Sequence, residues 1–368
     1  MLSLNPGILK EFNKFIYFPE YKLRKWIDPD SLNFMSLCEN VHDGTFNLIK
    51  NIVIDSEKIY FLCKNPSIYV LEIIEDNICH MDEWCWINLT SNENIEIVLY
   101  FVEKHLSKFD KILGCWYNLT KIQDRRIIPY ISSNISKLDK LCWINLCKNK
   151  MTFNQRFVLD YIIFSVEDID LLQALCENES ERIVEYLTFP VDIFCLYRLT
   201  SNENPKVVDI LIDNLNRLDD LCLCNLASNA SERHLKLLFD NFRESIDDLI
   251  FYRLCSNPSD VAVDYVIQSL ERLDDIAWGL LNTNPNDKVI DILKHHPDMI
   301  NIEHLTQNFN PRICELIDQK VLDNLWCIRN IALNPGGVEF LDKFIGEKKI
   351  QDWQFWYNLS QNPMIFMI

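Results

Sequence analysis

The stretch CWINLTSN at residues 85–92 returns as CWINLCKN at 142–149, with a looser echo, LCNLASN, at 223–229. Such repetition reflects architecture rather than chemistry. With Asn92 as reference, equivalent positions fall at Asn5, Asn40, Asn65, Ile122, Asn149, Asn178, Asn202, Asn229, Asn257, Asn284, Asn308, Asn334 and Asn362, so thirteen of fourteen are Asn. Asn40 to Asn362 is 322 residues in twelve steps, a mean near 27. A period of this size marks a solenoid.

Three residues before the reference stands Leu in every copy but one, which has Ile331; six before stands a bulky apolar residue such as Trp86, Trp116, Trp143, Phe251 or Trp278. Apolar residues at i and i+3 line one helical face. Ten before stands Asp30, Asp55, Asp82, Asp139, Asp168, Asp192, Asp219, Asp247, Asp274, Asp298 or Asp352, with Ile112 and Asn324 departing. An Asp there is a natural N-cap, accepting a free N–H of the first turn. The spacing predicts a first helix of about nine residues, roughly 14 Å long.

The reference Asn then ends the helix, and the reading that follows from its place is a left-handed cap, which Asn adopts most easily after Gly. On that reading Asn149→Gly is nearly neutral. Pro follows directly at Pro66, Pro258, Pro285, Pro335 and Pro363, and a second helix with its own apolar stripe is expected beyond, as in Val263, Val266, Ile267 and Leu270. The predicted fold is all-α: an α-solenoid of about thirteen short helical hairpins with a period near 27 residues. It is expected to be one continuous unit over 1–368, with a partial repeat and lead-in at 1–29, tandem hairpins at 30–352 and a truncated repeat at 353–368. Hairpins stacked at about 9–10 Å would make a curved rod of about 120 Å. Its C-terminal end, with Trp353, Trp356, Met364, Ile365 and Phe366, is expected either to fold back as a cap or to associate with another chain.

Composition narrows the function. The 368 residues are 48% apolar and 12% aromatic, enough for a packed core. A formal charge of -18 opposes a phosphate backbone, so nucleic acid is not an expected partner. No run of apolar residues is long enough for a membrane span and no secretory signal is evident, so a cytoplasmic protein is expected. The 7 glycines form no phosphate-binding pattern. Of the 14 cysteines none forms a C-x-x-C pair, and eleven fall two or seven residues before the reference, as small packing residues do.

The first segment, YKLRKWIDPDSLNFMSLCENV (21–41), with units ending as in NLSQNP (358–363), resembles the leucine, serine, asparagine and proline repeat proteins encoded in multiple copies by giant DNA viruses of amoebae and algae. The likeness covers nearly the whole chain in rhythm. It implies a helical repeat fold and a viral origin, with host cytoplasm or virion as location. The repeat here is longer than that family's compact unit, and many copies lack the Pro.

No catalytic, cofactor-binding or metal residues are assigned. His295, His296 and His304 are close in sequence, but adjacent helical side chains diverge by about 100° and share a metal poorly. Cys79, His80, Asp82 and Cys85 look ligand-like, yet Asp82 is a cap and Cys85 a core position. Pairs such as Asp219-Asp220, Asp247-Asp248 and Asp274-Asp275 recur at helix starts and are read as caps, not acid/base couples. Four before the reference, Asn88, Asn118, Asn145, Asn225, Asn330 and Asn358 are read as a hydrogen-bonded ladder between repeats, with a binding groove as the alternative. One repeat breaks the pattern, with Ile112, Ile122, Arg125, Arg126 and Pro129. The expected function is a non-enzymatic scaffold that presents a protein-binding surface, a viral structural or host-interaction protein; the alternative is an enzyme or metal protein using the repeat around Arg125 and Arg126 or the histidines.

Overall fold

The computed structural model describes residues 22–25, 27–49, 54–152, 155–164, 168–180, 182, 183, 187, 191–345 and 350–367. The reference position at Asn5 lies outside them. The first helix of each repeat forms where the caps place it: α1 (Phe34–Glu39), α2 (Ser56–Leu62), α3 (Glu83–Thr90), α4 (Leu113–Leu119), α5 (Lys140–Lys148), α6 (Ile169–Cys176), α7 (Ile193–Ser201), α8 (Asp220–Ser228), α9 (Asp248–Ser256), α10 (Asp275–Thr283), α11 (Ile302–Leu305), α12 (Leu325–Leu333) and α13 (Trp353–Gln361). Most carry a capping carboxylate; Asp139 accepts from Cys142 N at 2.9 Å and Asp219 from Cys222 N at 3.0 Å. Two expected caps are corrected. Asn33 caps α1 and Asn301 caps α11, while Asp30 and Asp298 sit in preceding 3-10 turns. In both copies the shorter helix leaves an Asn nearer the first turn to take the N–H groups.

The Leu and bulky columns are the core. Leu89, Leu146, Leu199, Leu254 and Leu281 are buried, as are Trp86, Trp116 and Trp143. All eleven column cysteines are buried among them and unpaired. Burial pushes the thiols of Cys115, Cys147 and Cys255 up to about 12, which keeps them protonated and unreactive. Second helices such as Glu232–Phe242, Asp260–Ile267 and Asp287–His295 cover this core from one side. Pro258 and Pro285 precede the caps of these second helices, Ser259 and Asn286, and do not themselves open them.

The reference Asn is the main correction. Its backbone is extended, not left-handed: φ is -74° at Asn202, -77° at Asn257 and -75° at Asn284. The side chain is what the position needs. Asn284 Nδ2 donates to Cys255 O at 2.8 Å and to Asn257 O at 3.0 Å, one repeat back, while its Oδ1 accepts from Asn286 N at 3.0 Å. Asn334 donates to Asn308 O and Asn310 O, whereas Asn65, Asn92, Asn149, Asn202, Asn229, Asn257, Asn308 and Asn362 each bridge to the same two carbonyl positions of the repeat before as Asn284 does. Those carbonyls stand at the end of a first helix, where no intrahelical donor remains. A primary amide supplies two donors and an acceptor at one short reach; Asp lacks the donors and Gly has neither. These Asn are buried, Asn334 and Asn178 completely.

This ladder does not stop at the ends of the row. Each first helix packs on the next from α1 to α13, and α13 packs on α1. Asn40 Nδ2 donates to Ser360 O at 2.7 Å, the bond that Asn65 makes to Cys38 O within the row. A two-stranded antiparallel clasp completes the join, β1 (Lys22–Leu23) with β2 (Phe366–Met367), Lys22 opposite Met367 and Leu23 opposite Phe366. Arg24 donates from Nε to Met364 O at 2.9 Å and pairs with Asp342. Phe366 stacks on His42 with centroids 4.7 Å apart, and a Cβ at Gly44 would lie 2.8 Å from its ring, so only glycine admits this approach. The row is therefore a closed circuit and not the expected open rod. The C-terminal residues fold back onto the first repeat, burying Ile365 and Phe366.

Candidate binding surface

Each sequence-derived candidate has a definite place. Asn88, Asn118, Asn145, Asn225 and Asn358 donate to Tyr60, Ile87, Tyr117, Tyr197 and Arg329 carbonyls of the preceding repeat at 2.8–3.2 Å. Asn330 reaches Thr306 Oγ1 at 3.4 Å. This column is a second ladder, and its amides are used in holding repeats together. A third, unforeseen in the sequence, stands two residues after the reference: Asn94, Asn204, Asn286 and Asn310 donate to Pro66, Ser180, Pro258 and Pro285 carbonyls.

In the irregular repeat, Ile112 makes no side-chain cap and Ile122 has no amide to give, yet Ile122 O still accepts from Asn149 at 2.8 Å. Arg126 is held by Asp124 and by Glu96, the latter at 2.7 Å, and Arg125 is exposed. Pro129 lies in the first turn of a short helix, Ile128–Ser132, where its missing N–H costs nothing.

The histidines are dispersed. His295 Nδ1 lies 2.7 Å from its own helix at Asp291 O, His296 packs on Trp278, and His304 covers Gly279. His295 and His296 edge an open hollow of about 350 Å³ with Lys288 and Asp291. His105 meets Glu75 at 3.0 Å. His234 is fully buried with neither ring nitrogen hydrogen-bonded, and burial pushes its pKa down to about 4. No three His, Cys, Asp or Glu converge as metal ligands among the described residues. Cys79 is exposed, and Asp82 is committed to Cys85 N at 2.9 Å.

One periodic feature has no structural use. At the second position of the first helices, where an α-helix turned toward solvent carries polar residues, stand Trp84, Leu141, Phe194, Leu221, Leu249 and Ile276, exposed by 52–63%. Trp326 repeats the position at 52% and Trp353, one residue earlier in its helix, is exposed by 71%. Scattered exposed apolar residues need no explanation, but this column is unbroken over the four successive first helices α7 to α10, while Gly114 and Asp170 hold the position in α4 and α6. Carboxylates interleave it: Glu83, Asp220, Asp248 and Asp275 precede an apolar member and are exposed. Below the stripe Tyr197 and Tyr252 donate to the next cap, Asp219 and Asp274, both at 2.6 Å, and those hydroxyls hold the two carboxyls below their usual range.

The signal for this stripe was present in the sequence as Asp-Asp-Leu or Asp-Asp-Ile at 219–221, 247–249 and 274–276. No family model, curated protein or solved structure matches the chain. No helix among the described residues is long and apolar enough to cross a membrane.

Proposed function

We propose that the protein is a non-enzymatic scaffold that binds another protein along the exposed edge of its first-helix row. The observation that carries this is the column of exposed apolar residues at the second position of the first helices, Trp84, Leu141, Phe194, Leu221, Leu249 and Ile276, unbroken over the four successive units from Phe194 to Ile276. Soluble surfaces rarely hold contiguous apolar patches without a partner to cover them. The row spacing supports an inward position for the stripe. Neighbouring first helices pack extensively on one another, whereas neighbouring second helices touch over fewer residues. In a closed circuit the tighter row has the shorter circumference and lines the opening. The resemblance to viral repeat proteins supports a structural or host-interaction role.

The test is a photo-crosslinking amino acid placed at Leu249 on the stripe and, separately, at exposed Asp240 on a second helix. A discrete protein adduct from Leu249, absent from Asp240 and abolished by Leu221→Ser with Ile276→Ser, is the expected result. Equal labelling from both positions, or adducts with lipid or nucleic acid alone, would refute the reading.

A further inference from the structure

Resting on that reading, the geometry points to the chemistry of the partner: a basic, amphipathic α-helix of another protein, seated across α8, α9 and α10. Three successive repeats present the same triplet there, Asp219-Asp220-Leu221, Asp247-Asp248-Leu249 and Asp274-Asp275-Ile276. In each, the first carboxylate caps its helix, to Cys222 N, Ile250 N and Ala277 N, and the third residue is exposed by 52–58%. Among the described residues, Asp248 alone of the six carboxylates has a cation within 4.0 Å, Arg272 at 3.6 Å. The patch thus joins apolar anchors to six carboxylates with a single loose internal counter-charge, Arg272, in a chain of net charge -18. Anionic membranes and nucleic acids are repelled by such a surface. A polypeptide carrying Lys or Arg beside apolar residues is complementary to it.

Spacing selects the conformation. Packed helices lie about 8–10 Å apart, so the three anchors recur at about that interval. An α-helix presents residues seven apart on one face at about 10.5 Å. An extended segment matches a similar spacing, but the row offers it no free strand edge, and its backbone groups would go unpaired on binding. A helix satisfies its own backbone and lays apolar residues at i, i+7 and i+14 over Leu221, Leu249 and Ile276, with cations beside them facing Asp220, Asp248 and Asp275.

The experiment uses the full chain and two synthetic helices of about 21 residues, identical in a Leu heptad pattern and differing in Lys or Glu at the flanking positions, with binding read by fluorescence anisotropy. The expected result is at least tenfold tighter binding of the Lys peptide. Asp220→Asn, Asp248→Asn and Asp275→Asn together should remove that preference, these being the second acids and not the caps, so circular dichroism should be unchanged. Equal binding of the two peptides with loss on Leu221→Ser and Ile276→Ser would overturn the basic partner and leave the apolar surface standing. Binding of neither peptide, or preferential capture of phosphatidylserine vesicles or single-stranded RNA, would overturn both.

Discussion

Two steps of the Asn ladder differ in a way that locates the weak point of the circuit. Within the row, Asn284 donates to both Cys255 O and Asn257 O. At the join, Asn40 donates to Ser360 O alone, and its Oδ1 accepts from His42 N at 2.9 Å. What the join lacks in ladder bonds it makes up in other contacts: the β1–β2 clasp, Ser360 Oγ accepting from Asn33 N, and Arg24 against Met364 and Asp342. Interior steps are held by a repeated, buried amide; the closing step is held by a patchwork nearer the surface. The same helices and the same first bond serve both, so the first repeat continues the last as any repeat continues its neighbour.

The largest effect should come from breaking an interior step. Asn284→Ala leaves two carbonyls and one N–H without partners in a buried place, at about 1–3 kcal/mol for each group, so about 4 kcal/mol in total is expected by urea unfolding. Asn149→Gly should cost nearly as much, because the lost amide matters and the extended backbone gains nothing from Gly. A neutral Gly variant would restore the left-handed cap and remove the ladder as the reason for Asn.

Acid probes the interior from another side. His234 has its folded pKa lowered to about 4, so the folded chain favours the neutral ring. That preference is intact above the unfolded value near 6.5, is lost as pH falls from there toward 4, and is flat below. The loss is about 3 kcal/mol at most by the shift, and His234→Leu should remove this part of the pH dependence while leaving the cap carboxylates, which titrate lower, to act as before. A variant with the same slope between pH 6.5 and 4 would contradict the assignment.

Asn40→Ala should cost about 2 kcal/mol, since one carbonyl and one N–H lose partners. Its effect should also be local, with hydrogen exchange quickened in α1 and α13 and unchanged in α8 to α10. Exchange quickened throughout would mean that the circuit opens as one unit. The smallest effect runs the other way. Ile122→Asn offers the irregular repeat the missing amide and should stabilise by about 1 kcal/mol if the preceding carbonyls accept it.

Much of this was legible in the sequence. Leu146, Trp143 and Asp139 stand where a capped helix with one buried face requires them, and the buried cysteines follow the same columns. The role of the reference Asn was not legible from position alone, because a helix-ending cap and a ladder both ask for Asn before Pro. One clue separated them: a left-handed cap favours Gly first, and the column never contains Gly. Closure was not legible, since it depends on the sum of small rotations between repeats, to which each hydrophobic pattern is blind. The exposed stripe was less legible, although the Asp-Asp-Leu and Asp-Asp-Ile triplets mark it, because Leu221 and Ile276 look like core residues until the helix around them is seen to turn them outward.

Closure itself is tested most directly by a distance between the two clasp strands. Spin labels at Lys22→Cys and Met367→Cys, with exposed Cys79 changed to Ser, report it in the intact chain. Paired strands hold opposite Cα atoms about 5 Å apart, so a single short label distance is expected. A distribution centred near the roughly 120 Å of an open stack of thirteen hairpins would contradict the closed circuit.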